Sequence, residues 1–171
     1  MSRPSSKTQQ SIYDNVTLIK PTPNASKEDL EAITEANTTA ITLSNAAASA
    51  AEAGQHIRAI ALHKKALAIK LRVYGEESVQ AAVSFNSMGE SYIKAGRLDD
   101  AEEVLQKALY VRDSKVWGGL EMGPREDAAA TRDNLAQVLE ARGRFDEARA
   151  LRLKGAERGE TMCGNVDVSI L

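Results

Sequence analysis

The side chains best suited to chemistry in this sequence are scattered rather than gathered. His56 and His63, the only histidines, stand seven residues apart in one helical stretch. That is two turns, whereas imidazoles sharing a metal on one helix sit one turn apart. Core or surface roles are expected for both. Cys163 is the only cysteine, so it forms no internal disulfide and no thiolate zinc site, and no base beside it activates the thiol. The run GGLEMGP at 118–124 has neither the strand nor the lysine of a phosphate loop and reads as a connector. Asp99, Asp100, Glu102 and Glu103 fall at a helix start, where carboxylates complement the helix dipole. The expectation is a protein with no cofactor, no metal and no catalytic site, and so not an enzyme.

Composition narrows the partners. The 171 residues are 43% hydrophobic and 27% charged, the range of one folded domain with loose ends. Aromatic residues make up only 4%, against 27 alanines, which favours helices brought close through small side chains. A net charge of −2 offers no basic field for nucleic acid or an anionic membrane surface. No apolar run is long enough to span a bilayer, and no secretory leader is visible at Met1 to Lys20. The expected location is a reducing cytoplasm, where the Asn-x-Ser/Thr triplets at Asn15, Asn24 and Asn37 carry no glycan.

Helical periodicity and its interruptions set the architecture. Residues 1–26 hold three of the four prolines and no helical apolar period, so they are expected to be a disordered tail. Within them Ile12-Tyr13 to Leu18-Ile19 is an apolar exception able to dock on the folded part, even in its groove. Ser26 followed by Glu28 and Asp29 reads as a helix start. From there to about Gly159 the chain repeats. Gly54, Gly96 and Gly143 are separated by 42 and 47 residues, and each stands between two helical stretches. Glycine ends a helix readily because its left-handed conformation meets no Cβ, so these three mark the reversals. Ala59, Ala101 and Ala148 follow each by five residues, where the second helix crosses the first. Tyr74-Gly75 and Trp117-Gly118 read as the ends of second helices, and Gly118 to Arg125 as a loose loop. Residues 160–171 are expected to be a second disordered tail, which leaves 27–159 as the repeat domain.

Phe85, Met88, Gly89, Tyr92, Gly96, Ala101, Leu105 and Ala108 match, in type and spacing, the eight-position pattern of a tetratricopeptide repeat. The chain therefore resembles that family over roughly residues 40–156. ALAIKLRVYG and NLAQVLEARGRFDEA resemble its kinesin-light-chain variety. The resemblance implies an all-α, right-handed superhelical solenoid of about three helix-turn-helix repeats. Units one and three depart from the pattern, with Ala46, Ala47, Ala50 and His63 in the first and Arg132, Arg152 and Gly155 in the third. The arginines are expected to turn a polar end of the stack toward water.

In such a solenoid the first helix of each pair lines a concave groove suited to a peptide. The inward positions are Ser44, Asn45, Ala48 and Glu52; Asn86, Ser87, Glu90 and Lys94; and Asp133, Asn134, Gln137 and Glu140. The asparagines Asn45, Asn86 and Asn134 offer both donor and acceptor to a peptide backbone, as inward asparagines of the family do. Hydrogen bonding within or between helices is the equal alternative. With Glu52, Glu90, Asp133 and Glu140 set against Lys94, the groove is expected to take a neutral or basic protein segment and to repel acidic chaperone tails. The expected function is an adaptor or scaffold. The alternatives are a homo-oligomer joined through an exposed solenoid end and a regulatory part of a larger repeat protein.

Overall fold

A computed structural model describes residues 25–113 and 125–157. The expectations placed on residues 1–24, on 114–124 and beyond 157 lie outside the described residues. Among the described residues six helices follow one another: α1 (Lys27–Glu52), α2 (His56–Tyr74), α3 (Val79–Lys94), α4 (Leu98–Asp113), α5 (Arg125–Ala141) and α6 (Phe145–Glu157). Each packs on the next in sequence, and α3 also touches α5, so three helix pairs stack as an all-α solenoid.

Local chemistry accounts for the boundaries. Ser26 caps α1 through its hydroxyl, which accepts from Asp29 N at 3.1 Å, while Ser26 N donates to the Asp29 carboxylate at 3.0 Å. This reciprocal pair satisfies two of the amides a helix start leaves unbonded. The three pairs reverse in one way. Gly54, Gly96 and Gly143 adopt φ of 73°, 70° and 74°, and the residue after each donates to a carbonyl five back: Gln55 to Ala50, Arg97 to Tyr92 and Arg144 to Leu139, at 2.8 to 2.9 Å. The repetition of one backbone motif at the three turns is what gives the units a common register. Gly75, at φ 86°, ends α2, and the Ser78 hydroxyl then caps α3 by accepting from Ala81 N.

Alanine lets the helices of a pair meet. Ala59, Ala101 and Ala148 have no exposed surface, as their spacing predicts, and neither do Ala66 and Ala108. Around them Leu67, Phe85, Met88, Tyr92, Leu105, Leu135 and Val138 form a continuous core. Full burial of a side chain such as Phe85 contributes about 2–3 kcal/mol. In unit one Ala47 and Ala50 are buried where larger residues are usual, whereas Ala46 faces solvent.

Candidate functional groove

Between α1 and α3 lies a cleft of about 280 Å³. Ser44, Ala48, Ala51 and Glu52 of α1 form one wall, and Val83, Ser84, Ser87, Glu90, Ser91 and Lys94 of α3 form the other. His63 and Lys70 reach it from α2. Of the residues expected to point inward, Ser44, Ala48, Glu52, Ser87, Glu90 and Lys94 thus meet in one place. Asn45 is exposed but does not line this cleft.

Asn86 occupies a different position from its supposed equivalents. It lies ten residues before its turn glycine, whereas Asn45 and Asn134 lie nine before theirs. That one-residue offset rotates it off the open face, and it is only 9% exposed. Its amide joins units two and three. Asn86 Nδ2 donates to Glu90 Oε1 at 2.8 Å, and its Oδ1 accepts from the Thr131 hydroxyl at 3.0 Å and from Asn134 Nδ2 at 3.2 Å. Asn134 Nδ2 also lies 3.1 Å from Glu90 Oε1. Two amides from two units therefore hold the exposed Glu90 carboxylate in place. The Arg112 guanidinium completes the joint by donating to Thr131.

The joint between units one and two is built on the same plan. Lys70 and Arg112 each follow their turn glycine by sixteen residues, while Ser84 and Thr131 precede theirs by twelve, and Ser44 and Asn86 by ten. Lys70 Nζ donates to Ser84 Oγ at 2.8 Å and to Ser44 Oγ at 3.3 Å, so a cation from the second helix again links the first helices of neighbouring units. Partial burial lowers the Lys70 pKa from its ordinary value. The pKa of His63 is also lowered, first by burial and then by Lys70, with Glu90 opposing.

The charge expected for the groove needs correction. The first helices alone make it acidic, but the second helices contribute cations as well. Arg152 of α6 lies 3.1 Å from Asp133 and pairs with both oxygens of Glu140, and Gln137 donates to Asp133 at 2.9 Å. Hydrogen bonding to Arg152 holds the Glu140 carboxyl below its ordinary pKa. Lys70 adds a further cation at the cleft. Glu52 and Glu90 therefore face Lys70 and Lys94 in a mixed surface, while Asp133 and Glu140 of the third unit are already paired.

Arg132 also departs from expectation. It was expected to turn toward water, yet it is 1% exposed, at the position where unit two carries Phe85. Asp113 at the end of α4 supplies the countercharge that draws it back into the stack. Arg152 is partly exposed and fits the polar end better. Glu102, expected only to complement a helix dipole, binds Arg142 and Arg144 of the next unit, both at 2.6 Å. The signal for that junction was the pair of arginines flanking Gly143, with no counterpart at Gly54. Among the described residues, no cluster of His, Cys, Asp and Glu could hold a metal, and no helix is long and apolar enough to cross a membrane.

Family comparisons agree with this architecture. Tetratricopeptide repeat models match residues 38–114 and 128–167. No curated protein is matched. Among solved structures, the chain is similar to BtubC (BKLC) from P. vanneervenii, a kinesin light chain-like protein, with a TM-score of 0.63 and 26% identity. The match covers 85% of this chain and 60% of that one, so this chain spans only part of the relative's length. With its three glycine-turned helix pairs and both family matches, the chain belongs to the tetratricopeptide repeat family, in its kinesin light chain-like variety.

Proposed function

We propose that the protein is a cytoplasmic adaptor that binds an uncharged or basic segment of another protein along the α1–α3 cleft, rather than a catalyst. Tetratricopeptide repeats are in general protein–protein interaction modules, which supports the class of function. The observation that carries the finer reading is Glu90. Its carboxylate is exposed at the cleft yet held by Asn86 at 2.8 Å and Asn134 at 3.1 Å. An acceptor fixed before binding loses little rotamer freedom when a ligand N–H or ammonium arrives. In this reading Asn86 and Asn134 act by positioning Glu90. Glu52 and Lys94 line the same cleft, Lys94 with Lys70 limits how basic the segment is, and a segment longer than the cleft would run on toward Asn45, Asp133 and Gln137.

Three fluorescent peptides of equal length, one uncharged, one lysine-rich and one acidic, test this by polarisation against the wild type and Glu90→Gln. The uncharged and lysine-rich peptides are expected to bind, and Glu90→Gln is expected to weaken them without loss of helicity. Tighter binding of the acidic peptide would overturn the proposal.

A second reading is self-association through the ends of the stack. Ile41 and Ile57 of unit one are 58% and 64% exposed, and Phe145 and Leu153 of unit three are 66% and 51% exposed. Light scattering over a concentration series decides it, since a mass that stays monomeric excludes this reading.

A further inference from the structure

Nine residues after its turn glycine, each second helix carries a side chain at one shared position: His63, Leu105 and Arg152. In unit two this is the core knob Leu105, packed against Gly89 of α3. Unit three has a permanent cation there. Only in unit one does the position hold a group that titrates near neutrality. His63 is 6% exposed and lines the α1–α3 cleft. The charged groups facing that cleft are Glu52 from α1, Lys70 from α2, and Glu90 and Lys94 from α3.

We infer that His63 makes the groove acid-sensitive: protonation of its ring sets a competing cation toward Glu90, and the cleft then releases the basic segment it holds at neutral pH. This rests on the peptide-groove reading above. The direction follows from the surroundings. Burial and the neighbouring Lys70 both disfavour the imidazolium, so His63 is neutral at pH 7 and its pKa lies below the ordinary 6.5. Once charged, the ring has two lysines and two carboxylates around it. Both carboxylates are exposed at the cleft, and Glu90 is the one whose charge favours the protonated ring. The acceptor proposed for the ligand is thereby partly neutralised. Because the folded pKa is depressed, stability from neutral His63 is complete above 6.5 and is lost as pH falls through the folded value.

The experiment combines an NMR titration of the imidazoles with binding of a fluorescent peptide of alternating lysine and serine, measured from about pH 7.5 to about 5.5, where histidine is the side chain that changes charge. Wild type is compared with His63→Leu, which installs the residue of unit two, and with His63→Gln. The His63 ring is expected to titrate below 6.5. Wild-type affinity is expected to fall roughly threefold or more across the range, the effect of one added like charge at the ligand, while both variants stay flat. A His63 ring that stays neutral down to about pH 5.5, or variants that keep the wild-type pH profile, overturn this inference alone. Absence of binding at every pH overturns the groove reading and this inference together.

Discussion

Leu105 packs so closely over Gly89 that a Cβ added to the glycine would meet its Cγ and Cδ2 at 2.6 Å. Leu105 has no exposed surface and sits in the continuous core, so it has little room to withdraw. A mid-helix glycine costs about 1 kcal/mol in propensity relative to alanine, and here the helix accepts that cost for the approach of α4.

Gly89→Ala is therefore expected to destabilise the protein. The recovered propensity is outweighed by overpacking of about 1–3 kcal/mol, read as a lower midpoint in chemical denaturation. Leu105→Ala should cost less in the Gly89→Ala background than alone, because the new methyl occupies part of the vacated space. Strictly additive effects in this double-mutant cycle would disprove the contact.

Thr131 is the hinge pin of the second joint, accepting from Arg112 and donating to Asn86. Thr131→Val keeps the shape but removes both bonds, and is expected to cost about 1–3 kcal/mol because it leaves buried groups short of a partner. Thr131→Ser should retain most of the stability. Hydrogen exchange should quicken in α5 and α6 of the valine variant; an unchanged protection pattern would argue against a joint at this residue.

Acid should loosen the third unit. Glu140 and Glu147 have lowered pKa values, chiefly through hydrogen bonds to Arg152 and Arg144. Their contribution is complete above the ordinary carboxyl value of 4.5 and is lost as pH falls through the depressed folded values. Both pairs are exposed, so the effect is modest. Arg152→Gln should flatten part of the decline in urea midpoint below pH 4.5, and an identical decline in the variant would exclude this origin.

Ser26→Ala is expected to fray the first turns of α1 by about 1 kcal/mol, since the hydroxyl that accepts from Asp29 N is lost while the backbone N–H of residue 26 can still donate to the Asp29 carboxylate. Because this end is exposed, the change should appear as faster amide exchange near Asp29 while the global midpoint barely moves. A large drop in the midpoint would instead make the start of α1 part of the cooperative core.

The backbone was legible because its signals are local. Gly54, Gly96 and Gly143 each need a left-handed conformation, and Ala59, Ala101 and Ala148 each need a close helix crossing, whatever lies further along the chain. Side-chain partnerships across units were not legible in this way. Placing Asn86 with Asn45 and Asn134 missed a one-residue offset, which on a helix turns a side chain by about 100° and here moves it from the open face into a joint. Arg132 looked like an end cap because the sequence shows its charge but not Asp113, nineteen residues earlier, waiting at the end of α4. The groove's charge is hidden from the sequence for the same reason, since Lys70 and Arg152 reach its residues from second helices.

The two joints, alike in plan, differ in what they resist. Between units one and two, a lysine with a flexible stem and one ammonium group holds two serine hydroxyls. Between units two and three, an arginine, a threonine and two asparagines interlock, and Glu102 grips two further arginines outside them. The polar lock of the second joint thus draws on more groups than that of the first, and any widening of the cleft is expected to come from α1 moving against α3 rather than from α3 moving against α5.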